Sequence, residues 1–163
     1  MTQSREGLKN DMSTEMKPIG LNIPDADDDW IPRMEDMPFH RLGGEAGVRA
    51  LAEAFYDAMD ANEPELARLH ELDASGKVGP GIRERFGLFL MGWLGGPQHY
   101  VEKHGHPRLR MRHGHLPVDT THRDAWVRSM QRALDARGVK GGVRRFLDQR
   151  FAEVADFLRN TEG

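Results

Sequence analysis

Between residues 93 and 126 the chain reads WLGGPQHYVEKHGHPRLRMRHGHLPVDTTHRDAW, a stretch rich in glycine, proline and histidine with a helical pattern on either side. Upstream, Val48, Leu51, Ala52, Phe55 and Met59 recur at the three-and-four spacing of one buried helix face, with Tyr56 beside it. Ile82, Phe86, Phe89, Leu90 and Trp93 form a second stripe, stopped by Gly95, Gly96 and Pro97. Downstream, Trp126, Val127, Met130 and Leu134 define a third helix that begins within 119–124 and ends near Gly138. Val143, Phe146, Leu147, Phe151, Val154, Ala155 and Leu158 define a fourth, after Gly141 and Gly142. No strand-like alternation competes, so the expected fold class is all-α with four main helices. Residues 64–70 can support a helical turn, 75–81 read as a loop, and 98–118 hold at most short turns. Bundle loops are usually short, so a plain up-and-down bundle leaves that last stretch unexplained, and a bound cofactor explains it better.

Composition narrows what such a cofactor site can contain. The chain has 163 residues, 38% of them hydrophobic and 30% charged, as expected for one compact globular domain. Cysteine is absent, which excludes disulfides and thiolate ligation and leaves histidine, tyrosine, methionine and carboxylates as candidate ligands. No apolar run is long enough to span a bilayer and the amino terminus lacks a secretory core, so a cytoplasmic location is expected. A formal charge of −3 gives no reason to expect nucleic acid or an anionic membrane as partner. Residues 1–36 hold nine acids against four bases, net −5, with the run DADDD and few aliphatics. Residues 1–38 are therefore expected to be a solvated, disordered extension, the alternative being a segment around Trp30 and Ile31 that orders on contact with a partner.

The segment HPRLRMRH at 106–113 resembles, nearly letter for letter, the diagnostic stretch of the group II truncated haemoglobins, and the resemblance extends from about residue 37 to 160. Gly43-Gly44 before the first long helix and Gly95-Gly96 after the second match glycine pairs of that family. The resemblance implies a domain over 39–163 in which two antiparallel helix pairs pack across each other around haem b. It implies His113 as the axial iron ligand, since a neutral imidazole binds ferrous iron and leaves the opposite axial position open for a diatomic gas. Tyr56, in FYDAMD, and Trp126, in RDAWVRSM, match the family's distal tyrosine and tryptophan, and His70 matches a position where members carry Tyr, Phe or His. Ile82, Phe86 and Leu90 would line the pocket, with Ile82 nearest the place where ordinary globins carry a distal histidine. Arg112, Arg110 or Tyr100 would pair with a haem propionate, guanidinium being suited to carboxylate geometry. Leu116 stands where the family more often has Phe after the proximal histidine, a packing change at a haem edge, and the acidic extension is a further departure.

The implied function is reversible binding of O2, CO and NO, in storage or transport of oxygen. Partially negative O2 on ferrous iron attracts N–H and O–H groups, each such hydrogen bond contributing about 1.5 to 3 kcal/mol. Two donors would slow release by orders of magnitude and favour reaction of the held oxygen, for example with nitric oxide, or peroxidase-like chemistry, with electrons from a reductase. The alternative is a haem-based gas or redox sensor acting through the extension. A more remote one is a non-haem metal site in the crowd of His99, His104, His106, His113, His115 and His122, although no HExxH and no paired Glu-x-x-His is present. The sequence is equally compatible with a monomer or a homodimer.

Overall fold

The computed structural model describes residues 29–105 and 118–158. Seven helices lie within them: α1 (Pro38–Arg41), α2 (Gly44–Asn62), α3 (Pro64–Ala67), α4 (Pro80–Trp93), α5 (His99–His104), α6 (Thr120–Ala136) and α7 (Gly141–Leu158). Among the described residues there is no β-strand, only the isolated bridges Arg33 to Asp36 and Leu72 to Val78. The four long helices are those expected, with α4 beginning at Pro80, whose fixed φ and missing N–H suit a first helical position.

The stripe of α2 is its buried face: Val48, Leu51, Ala52, Phe55 and Met59 are all at most 1% exposed. That face packs against both α4 and α6, and α6 packs in turn against α7. Each fully buried Phe, Leu or Met contributes about 1.5 to 3 kcal/mol by leaving water, which is why these helices hold together as a group and not singly. Helix α6 starts with a capping box, in which the Asp119 carboxylate accepts from the His122 backbone N–H and the His122 ring reaches back to the Asp119 N–H. It ends in a Schellman arrangement, with Val139 N–H donating to the Leu134 carbonyl and Gly138 N–H to that of Asp135.

Helix α4 ends in the same way, Gly96 N–H donating to Met91 and Gly95 N–H to Gly92, with Gly95 at φ 98°. The second glycine has a tertiary reason: a Cβ on Gly96 would strike the ring of Phe39, whose own N–H donates to the Leu94 carbonyl at 2.9 Å. The glycine pair thus lets α1 dock on the end of α4. A Cβ on Gly47 would collide with the Leu42 carbonyl, so α1 and the first turn of α2 also meet backbone to backbone.

Described structure also extends to the amino-terminal side of the boundary expected at residue 38. Trp30 is 5% exposed and belongs to the core, its ring edge-on to Phe146 of α7 at 5.6 Å. Arg41 lies over the same indole at 5.8 Å and makes a bidentate pair with Asp36, at 2.8 and 2.7 Å. That guanidinium holds the Asp36 carboxyl at about 2. The acidic composition that suggested solvation thus includes a carboxylate committed to an arginine, and folded structure begins at least eight residues earlier. Residues 1–28 lie outside the described residues.

Candidate functional site

The aromatic residues of α2, α4 and α6 converge on one side of the core. Tyr56 of α2 is 5% exposed, with its ring 4.8 Å from Phe55, 5.6 Å from Phe86 of α4 and 5.6 Å from His70. Trp126 of α6 contacts Phe55 at 5.2 Å and Phe86 at 6.4 Å, so the Phe86 ring borders both Tyr56 and Trp126. The row continues along α4 through Phe89 and Trp93, stacked at 6.3 and 6.5 Å by their three- and four-residue spacing. Phe151 of α7 meets Trp93 and Trp126 at 5.1 and 5.9 Å. Ile82, Phe86, Phe89, Trp93, Trp126 and Phe146 all pack on the core yet stay only partly buried. Partly open apolar surface of this extent, bordered by a few polar groups, suits a large flat apolar ligand.

Polar groups are few at this face. No described residue hydrogen-bonds the Tyr56 hydroxyl, although the side chain is enclosed. Burial pushes the phenol above the ordinary tyrosine pKa, opposed by the positive charge of Arg83, so Tyr56 is a protonated donor at neutral pH. His70 comes from the turn after α3, where its Nδ1 lies 3.1 Å from the Leu66 carbonyl. A carbonyl can only accept, which puts the proton of the neutral ring on Nδ1.

The structure therefore brings Tyr56, His70, Phe86 and Trp126 into one group. Ile82 lies one turn earlier on α4 and is partly buried, whereas Leu90 is 1% exposed and sits within the core. Tyr100 is separate from Tyr56: it is buried on α5 against Phe89 at 6.1 Å and His104 at 5.0 Å. His113, Arg112, Arg110 and Leu116 lie outside the described residues. Of the crowded histidines, His99 pairs with Glu45 at 2.9 Å and His122 caps α6, and no cluster of three potential metal ligands occurs among the described residues.

A charged cluster behind Tyr56 went unanticipated. Arg83 of α4 donates from Nη1 to Glu53 (2.9 Å) and Asp57 (2.7 Å), from Nη2 to Asp60 (2.6 Å) and from Nε to the Val78 carbonyl (2.8 Å). Burial opposes its charge, and the carboxylates of Asp57 and Glu53 outweigh that, leaving its pKa above the ordinary arginine value. The available signal was the spacing of Glu53, Asp57 and Asp60, which places three acids on one face of α2.

Comparison with known proteins fits this geometry. Residues 38–160 match the family model described as bacterial-like globin. The chain is 33% identical over 123 residues to the group 2 truncated hemoglobin YjbI of Bacillus subtilis (strain 168), covering 76% of this chain and 88% of that protein. It superposes with a TM-score of 0.70 on the cold-adapted truncated hemoglobin of the Antarctic marine bacterium Pseudoalteromonas haloplanktis TAC125, at 40% identity, covering 77% of this chain and 98% of the other. A truncated oxygen-avid haemoglobin from Bacillus subtilis superposes with a TM-score of 0.68 at 33% identity, covering 76% and 99%. No helix among the described residues is long and apolar enough to cross a membrane. With its all-α fold, its open aromatic face and these relatives, the chain belongs to the bacterial-like globins, as a group II truncated haemoglobin: a haem globin that binds gas.

Proposed function

We propose that this globin holds O2 tightly, by hydrogen bonds from Tyr56 and Trp126, on a haem b ligated by His113. The observation that carries the reading is Tyr56, a buried side chain whose hydroxyl is protonated and without a hydrogen bond from any described residue, grouped with Phe86 and Trp126 at the open aromatic face. The residues present fit a haem: stacked apolar rings for its faces and, beside them, the Tyr56 hydroxyl, which no described residue hydrogen-bonds. When bound, the haem would supply an iron that takes up O2, CO or NO. The chain supplies the rest. Tyr56 and Trp126 donate to the captured gas, and His70, its Nδ1–H tied to Leu66, borders Tyr56 as a third polar neighbour. Phe86 and Ile82 exclude water from that side, with Leu90 behind them in the core. Arg112, Arg110 or Tyr100 would pair with propionates and Leu116 would pack at the haem edge.

Two donors at about 1.5 to 3 kcal/mol each would slow O2 release by several powers of ten. The name of one relative, oxygen-avid, agrees with this reading. Slow release suits oxidation of a second small molecule better than oxygen delivery. Nitric oxide converted to nitrate, with one electron restored by an external reductase, is the reaction favoured by the donor count. The test is the O2 dissociation rate of the reduced protein: slow in the wild type and faster in Trp126→Phe supports the reading, whereas a fast rate unchanged by that substitution contradicts it.

A further inference from the structure

We propose that Arg83 is a positioning residue for the gas site, clamping the Tyr56 ring in place and strengthening its hydroxyl as a donor. The inference rests on Tyr56 acting as that donor. Arg83, at 9% exposure, is the charged residue buried among the described residues. It is gripped by carboxylates one, two and three helical steps along α2: Glu53 and Asp57, both exposed, and Asp60, whose side chain is 10% exposed and whose other oxygen accepts from the Val78 N–H at 3.1 Å. To hold α2 against α4, an apolar side chain of similar volume would serve as well or better, since burying a guanidinium carries a large desolvation cost. What the arginine adds is a cation 5.8 Å from the centre of the Tyr56 ring. A cation there stabilises the phenolate relative to the neutral phenol, so the O–H is more acidic and a stronger donor. The same charge opposes the burial that raises the Tyr56 pKa. Three hydrogen-bonded arms leave the guanidinium little freedom, and the ring it faces is bounded on its other sides by Phe55, His70 and Phe86.

The experiment is a double-mutant cycle on the haem-loaded protein: wild type, Arg83→Met, Tyr56→Phe and the pair. It reads the O2 dissociation rate and the carbon–oxygen stretching band of the CO complex. Arg83→Met is expected to speed dissociation about three- to ten-fold and shift the band in the direction Tyr56→Phe shifts it. In the Tyr56→Phe background it should do nothing further, because a residue acting through Tyr56 has no effect once the hydroxyl is gone. A readout independent of the gas comes from the two tyrosines of the chain. With tyrosine labelled by carbon-13 at the ring carbon bearing the hydroxyl, the Tyr56 resonance, identified by its loss in Tyr56→Phe, should move in Arg83→Met while that of Tyr100 stays. Should Arg83→Met fail to fold, Asp57→Asn removes one exposed arm of the clamp and should shift the same resonance and band by less. Equal effects of Arg83→Met in both backgrounds, or a Tyr56 resonance unmoved by both Arg83→Met and Asp57→Asn, would overturn the proposal. A response to Tyr56→Phe with none to the clamp variants removes this proposal alone, whereas silence of Tyr56→Phe removes the donor reading and the proposal with it.

Discussion

Replacing Tyr56 by phenylalanine separates the binding role of the hydroxyl from the packing role of the ring. The substitution deletes one oxygen from a side chain that is 5% exposed and keeps the contacts with Phe55, His70 and Phe86. No described residue is left with a broken hydrogen bond, so the folded state should change in stability by less than about 0.5 kcal/mol. The phenol is protonated at neutral pH because burial raises its pKa, so the wild type always offers a donor. A hydrogen bond to a partially negative acceptor contributes about 1.5 to 3 kcal/mol, and each 1.4 kcal/mol is about tenfold, so O2 should leave the variant about 10- to 150-fold faster. The assay is rapid mixing of the oxygenated protein with dithionite, followed in the Soret region, beside a urea titration of both proteins. An unchanged rate at unchanged stability would refute the donor role. A faster rate with more than about 1 kcal/mol lost would mean that the hydroxyl has a structural partner outside the described residues.

Glu63, with its side chain 11% exposed, takes three hydrogen bonds from Arg128 and Arg132, and these guanidinium groups hold it at about 2 against the ordinary 4.5. A lowered carboxylate pKa stabilises the fold above about 4.5 and loses that contribution as pH falls towards 2, so Glu63→Gln should cost about 1 to 2 kcal/mol at pH 7, after discounting for half-exposed arginines, and nothing near pH 2. Unfolding free energies measured across that range check it, and a difference independent of pH would contradict it. Gly47→Ala should cost about 3 kcal/mol in a urea titration, because its Cβ meets the Leu42 carbonyl and not a movable side chain. Trp30→Ala should cost about 3 kcal/mol by the same measurement, and a loss below 0.5 kcal/mol would mean that Trp30 is not docked on Phe146.

The long helices were readable because each buries one face. The stripe Val48, Leu51, Ala52, Phe55 and Met59 follows the helical period, and the same residues are buried in the fold. Tyr56, His70, Phe86 and Trp126 were gathered only through the family resemblance, since helical spacing alone does not distinguish a core aromatic from one facing a ligand. Trp30 was obscured by its acidic neighbours: composition averages over Asp36, which is committed to Arg41, and over one tryptophan whose burial outweighs the polarity around it. Arg83 was hidden for a related reason. Its partners lie 23 to 30 residues away on another helix, whereas helical periodicity relates residues within one helix. His113, on which the sequence argument leaned most, lies outside the described residues, so its role still stands on the motif HPRLRMRH.

That role can be tested directly by the absorption spectrum of the purified protein, ferric and then reduced with and without CO, beside His113→Ala. A haem held by His113 predicts a Soret band that shifts when CO binds the reduced protein and is lost or strongly weakened in the variant. A protein that takes up no haem, or a His113→Ala variant with the wild-type spectrum in every state, would contradict the assignment of the iron to His113.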